Sequence, residues 1–201
     1  MNTKISAYSG LLTLPAFSLL LIIFSLLTPG YNNLVNAVSE LGISGAPHAL
    51  AWNMFGFVFI GLLVIFFARG LYAGLRLGPG AVTVASLVFL SGIGFAGLGF
   101  FPADPGFRPS AATSLHFTMV SVNYLPFIIF AFLFALTQNK DVYWRHWGVF
   151  SLAMGALAIM SFFLPPTIPP GISQRIGMGT YFLWIMVMSF ALLRKTESAQ
   201  E

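Results

Sequence analysis

Phe101-Pro102-Ala103-Asp104-Pro105-Gly106-Phe107-Arg108-Pro109-Ser110-Ala111-Ala112-Thr113-Ser114-Leu115-His116 places a carboxylate, a guanidinium and an imidazole between two long apolar runs. Residues 81–101 upstream and 114–135 downstream contain no Asp, Glu, Lys or Arg. Each run has about the 20 residues that cross a hydrocarbon core as a helix, whereas a spanning strand needs only about 10 and alternates in polarity. Four further runs, 9–27, 49–69, 146–164 and 173–193, are similarly long and apolar, with Arg69 and Arg175 the charged residues among them. The chain is 58% hydrophobic and 7% charged over 201 residues, far from soluble usage, where about a quarter of residues are charged. With 22 Phe, its ring area suits a lipid-facing surface better than a small aqueous core.

The reading is an all-α, polytopic membrane protein: one domain over residues 1–201, folded as a bundle of six transmembrane helices. Lys4 precedes the first run as in a signal peptide, but the run exceeds the 7 to 15 residues of a secretory apolar region, so it is kept as a helix. Lys and Arg in short connections resist translocation. Lys4, Arg69, Arg76, Lys140, Arg145, Arg194 and Lys195 fall on one side, against Arg108 and Arg175 on the other. Both termini are therefore expected in the cytoplasm, with the protein multi-pass in the cell inner (plasma) membrane. The net charge of +4 is scattered rather than clustered, which excludes nucleic acid as a partner. Cysteine is absent, so thiol chemistry and disulfides are excluded too.

The first outer connection separates its residues into two arcs. On a helical wheel over 31–41, Tyr31, Leu34, Val35, Ala37, Val38 and Leu41 share one side, and Asn32, Asn33, Asn36, Ser39 and Glu40 the other. This predicts a short interfacial amphipathic helix in the first outer loop, ended by Gly42 in a left-handed conformation. Trp52 reads as an interface anchor. Gly92 and Ala96 form a small-xxx-small pair for close helix packing. His116, Val120, Asn123 and Phe127 share one helical face, and Pro126 interrupts the backbone bonding of that helix. The charged and aromatic stretch 138–147, with His146, suits an inner interface.

On this topology Ser39, Glu40, Asp104, Arg108, His116, Gln174 and Arg175 reach one depth at the outer side. Ionisable groups close to hydrocarbon usually face a bundle interior or watery cavity. Arg175 lies in the first turn of the last helix, where the positive dipole end disfavours a cation, so it should pair with Glu40, Asp104 or an anionic ligand. His116 opens a helix and is expected neutral, available as a base or ligand. Asp104, in Asp-Pro-Gly, can cap a turn or belong to the site. Arg108, in mid-loop, reads as an ordinary solvated residue. The candidate site therefore has His116, Asp104 and Glu40 as catalytic groups and Arg175, Gln174, Ser39, Asn53 and Asn123 as substrate-binding groups, converging in one cavity.

Ser39-Glu40-Leu41-Gly42, Asn53, Gly97 to Asp104 in a Gly-x-Gly-x-Phe-Pro-x-Asp pattern, Leu115-His116 and Gln174-Arg175 together resemble the bacterial and archaeal membrane family called domain of unknown function 998. More distantly the chain is similar to DRAM and GPI-remodelling membrane proteins, which share a Ser-acid-x-Gly and a helix-opening His. The nearer resemblance implies no established activity, and the distant one implies lipid handling. Three functions fit: a site for a membrane lipid or amphiphilic small molecule, with or without acid–base chemistry; a small carrier or channel-like protein with an outer vestibule; or a metal or haem protein using His48 and His116 with Glu40 or Asp104. No metal or cofactor is assigned, since His-x-x-x-His spacing is lacking. No Gly-x-Ser-x-Gly elbow marks Ser39 or Ser114 as a nucleophile. Helix centres without ionisable groups argue against a coupled transporter.

Overall fold

The computed structural model describes residues 3–75 and 78–198. Arg76, counted above among the basic residues, lies outside them, as do both extreme termini. Six helices carry the described chain: α1 (Thr3–Leu27), α2 (Ala49–Gly74), α3 (Pro79–Phe100), α4 (Ala111–Thr137), α5 (Gly148–Phe162) and α6 (Pro170–Ser198). All but α5 are long and apolar enough to cross a membrane. A helix satisfies its own backbone groups, the condition lipid imposes on a spanning segment. Hence the protein is an all-helical membrane protein.

Each helix packs on its sequence neighbours, and α6 closes the ring against α1 while also touching α2. Lys195 near the end of α6, the 138–147 connection and Gly74 at the end of α2 meet at one end of the bundle. Ser6 of α1 lies against Gly70 of α2 at the same end. Arg175 and the 28–48 connection occupy the other.

Close approach depends on missing side chains, as the small pair predicted. A Cβ on Gly61 would meet the Ala96 amide nitrogen at 2.5 Å and the Gly92 carbonyl at 2.7 Å, which brings α2 and α3 together. The rings divide differently from expectation. Phe17, Phe57, Phe95, Phe127, Phe130, Phe134 and Phe182 are buried, and with Trp52, Tyr181, Trp184 and Trp144 they form a chain of edge and tilted contacts through the bundle. Phe55, Phe66, Phe89, Phe100, Phe162 and Phe163 cover the outside. Trp52 is thus a core residue at 0% exposure, not an anchor.

The interfacial helix over 31–41 is corrected. Only Val38–Gly42 is helical, as a 3-10 turn. Asparagine side chains compete with helical bonding upstream: Asn36 Oδ1 accepts the Asn32 amide at 2.8 Å, and Asn32 Oδ1 accepts the Leu34 amide at 2.9 Å. Leu34 and Val35 are exposed while Val38 and Leu41 are buried, so the apolar arc splits. Gly42 does not end it with a positive φ. Its bare Cα instead admits the Asn53 amide and the Trp52 indole, which lies 2.9 Å from where a Cβ would stand.

Candidate functional site

α6 begins at Pro170, where the fixed φ and missing amide of proline suit a first helical position. Gly171 follows, and its amide donates to the Val35 carbonyl at 3.1 Å. A Cβ there would stand 2.7 to 2.8 Å from the carbonyls of Asn36 and Leu34, so glycine lets the connection lie directly on the helix. One turn on, Arg175 completes the joint. Its Nη1 donates to the Asn36 and Gly171 carbonyls, both at 2.9 Å. Its Nη2 donates to the Tyr31 hydroxyl and Asn33 Oδ1, both at 2.8 Å. Four of the five N–H donors of a guanidinium are thereby used.

Every one of those acceptors is formally neutral. The expected ion pair of Arg175 with Glu40 or Asp104 is therefore corrected. Burial raises the Tyr31 phenol above its ordinary range, against the charge and hydrogen bond of Arg175, so Tyr31 does not supply the counter-charge. Glu40 is taken up locally: Oε1 accepts the Ala37 amide at 2.7 Å and Oε2 the Asn36 Nδ2 at 2.8 Å. Asn36 thus stands between Glu40 and Arg175, its side-chain amide donating to Glu40 and its backbone carbonyl accepting from Arg175. Gln174 Oε1 accepts the Val38 amide, and its Nε2 reaches Ser39 Oγ at 3.4 Å.

His116 and Asp104 belong to a second group, on the 101–110 connection. Ser110 caps α4 by accepting the Thr113 amide at 3.0 Å, which sets His116 two turns into the bundle. Its Nδ1 lies 2.8 Å from the Phe101 carbonyl, which can only accept, so Nδ1 carries the proton. Nε2 is buried without a protein partner. The orienting group is a carbonyl, not the carboxylate expected from Asp104 or Glu40. Asp104 instead lies 3.7 Å from Arg108, whose side chain is 70% exposed. The Asp104 turn closes through its backbone carbonyl to the Phe107 amide at 2.9 Å rather than through a side-chain cap. No hydrogen bond or ion pair among the described residues joins His116 or Asp104 to Glu40 or Arg175, so the single constellation resolves into two.

Asn53 and Asn123 sit deeper. Asn53 Nδ2 donates to the Gly42 carbonyl at 2.9 Å, leaving its Oδ1 and the neighbouring Trp52 Nε1 buried and unpartnered. Asn123 Nδ2 donates to the Ser91 carbonyl at 2.9 Å, and Ser91 Oγ meets the Tyr181 hydroxyl at 3.0 Å, a polar tie across α3, α4 and α6. Among the described residues no three His, Asp or Glu side chains gather as metal ligands.

The space beside these groups lies between α4 and α5. A cleft of about 200 Å³ has Ala37, Ser173 and Gln174 at its mouth and Tyr124 and Ser161 within. An apolar cleft of about 310 Å³, walled by Leu125, Ile128, Ile159 and Phe163, shares Val120, Tyr124 and Phe162 with it, so the two adjoin. Gly177 of α6 lets Tyr124 and Ser161 pack directly on that helix: a Cβ there would stand 2.8 Å from the Tyr124 hydroxyl and 2.9 Å from Ser161 Oγ. Of the residues the sequence singled out for the site, Gln174 alone lines this cleft. Ser161, Ser173 and Tyr31 were missed, and only the polar positions of otherwise apolar helices hinted at the first two.

Fold and site define a multi-pass helical membrane protein with a polar-mouthed cleft open to its lipid-facing side. The chain belongs to the family described as protein of unknown function (DUF998), whose profile matches residues 11–191. No curated protein and no solved structure matches it.

Proposed function

We propose that the protein binds an anionic membrane amphiphile in the α4–α5 cleft, its headgroup at Gln174 and Ser173 and its chain along Leu125, Ile128, Ile159 and Phe163. The observation that carries this reading is that a cleft with polar groups at its mouth adjoins an apolar one, the match an amphiphile needs. Arg175 contributes an unneutralised positive charge beside Gln174, which favours an anionic headgroup. The reading is one of binding: Glu40 and Asp104 are engaged elsewhere, and His116 has no carboxylate to orient it.

The orientation proposed is six crossings with both termini in the cytoplasm, in the plasma membrane, which puts the cleft mouth in the outer leaflet. The distribution of Lys and Arg supports it. α5 supplies about 22 Å of α-helix, and the preceding 3-10 turn Trp144–Trp147 adds about 8 Å, together close to the ~30 Å of a hydrocarbon core.

Protein purified from native membranes and analysed by lipid mass spectrometry tests the proposal. An anionic amphiphile should be retained by the wild type, weakened by Gln174→Ala and lost from Ser161→Phe, which fills the cleft. Identical lipid profiles for the wild type and both variants would refute it.

A further inference from the structure

A second groove lies far from that cleft, between α2 and α3 at the Lys195 end. It measures about 500 Å³ and is walled by Ile65, Phe66, Val82 and Phe89, with the small Ala68 and Ala85 as its floor. Arg69 lies on its rim with Tyr72 and Ser86. Arg69 is not a loop residue. It stands five residues before the end of α2, so its Cα is about 7 Å inside the helix, between Phe66 and Tyr72 on a lipid-facing surface. It is exposed, and among the described residues it has no hydrogen bond or ion pair.

An unpaired guanidinium on a lipid-facing helix surface is favoured where it reaches an anion or the headgroup layer. The planar fork of arginine suits a phosphate bidentately. The phenol of Tyr72 and the hydroxyl of Ser86 add two donors on the same rim, one from each helix. Below them the groove is apolar and of the size of a small-ligand site. Phosphate donors at one end and an apolar channel at the other match one kind of occupant. We infer that the α2–α3 groove binds an anionic phospholipid of the leaflet at the Lys195 end, phosphate on Arg69 and one acyl chain between Phe66 and Phe89. This site is independent of the α4–α5 cleft, which opens at the opposite end of the bundle.

Native mass spectrometry of the detergent-solubilised protein tests it, titrating phosphatidylglycerol and phosphatidylcholine of identical chains. The Ser161→Phe background, which fills the other cleft, isolates this groove. Phosphatidylglycerol should bind about fivefold more tightly than phosphatidylcholine, the scale of one basic residue at a membrane surface. Arg69→Gln should erase that preference with the melting temperature unchanged, because Arg69 has no hydrogen-bond or ion-pair partner among the described residues. Ser86→Trp, which fills the groove from its exposed rim, should remove binding of both lipids. Equal affinity for the two lipids, a preference that survives Arg69→Gln, or one lost equally in Arg194→Gln overturns the inference. A dimer that Ser86→Trp dissociates also overturns it, assigning the groove to a second copy of the chain.

Discussion

α6 carries a cation near each end, and each ties a connection to the helix, but the two joints are built differently. At one end Lys195 Nζ donates to the Gly74 carbonyl at 3.0 Å, approaches Asp141 at 3.6 Å and lies over the rings of Tyr143 and Trp144. Trp144, fully buried, donates to the same Gly74 carbonyl at 2.8 Å, and the Tyr143 hydroxyl donates to the Ala191 carbonyl at 2.6 Å. The charge there is matched by a carboxylate within the protein. At the other end Arg175 makes more hydrogen bonds, yet every acceptor is neutral. A matched cation makes a structural clasp. An unmatched one beside a polar-mouthed cleft leaves a field for an anion to answer, and that difference is why we place the ligand at the Arg175 end.

The largest effect should come from the clasp. Trp144→Ala removes a buried indole with its hydrogen bond and should destabilise the protein by about 3 to 5 kcal/mol, read as a lowered melting temperature in detergent. Next comes Arg175→Met, which strips the half-buried joint of its donors and should cost about 2 kcal/mol. Hydrogen exchange should then speed up over residues 31–42 and stay unchanged over 138–147. Arg175→Lys sharpens the comparison. It keeps the charge and loses the fork, so the anionic ligand should still bind while the 31–42 protection falls.

The pH response should separate the ends as well. Burial works against the Asp141 carboxylate, but the amides of Trp144 and Tyr143 and the charge of Lys195 outweigh it and hold the carboxyl below its ordinary range. Its folded pKa is depressed, so its contribution is present above the unfolded value of about 3.9 and lost as pH falls through the folded one. Acid melting curves should therefore show a stability loss below about pH 4 that Asp141→Asn removes and Arg175→Met retains. The smallest effect is expected for Arg108→Ala, which breaks a solvent-exposed pair and should change stability by about 0.5 kcal/mol or less.

Span positions were legible because lipid demands long apolar runs, and the face of His116, Val120, Asn123 and Phe127 was legible because helical period alone sets it. The need of Arg175 for partners was legible from the helix dipole. Their identity was not: the acceptors are carbonyl, amide and phenol oxygens of a connection whose path is set by asparagine side chains competing with helical bonding. The wheel over 31–41 assumed a helix that Asn32 and Asn36 undo. Trp52 was misread because an indole near a helix start is usually interfacial, whereas here the 38–42 turn folds over it through the bare Cα of Gly42. The cleft itself left little trace, since it arises from how α4, α5 and Gly177 pack.

The central claim, that an amphiphile lies between α4 and α5, is tested most directly by photocrosslinking. Phosphatidylglycerol carrying a diazirine in one acyl chain would be incubated with the protein in bilayers, irradiated, and the adducts mapped by mass spectrometry. The account predicts adducts concentrated on residues 120–128 and 159–163, falling to background in Ser161→Phe. Adducts spread evenly over Leu19, Phe55, Phe100 and the other lipid-facing side chains, or a pattern that Ser161→Phe leaves unchanged, would contradict it.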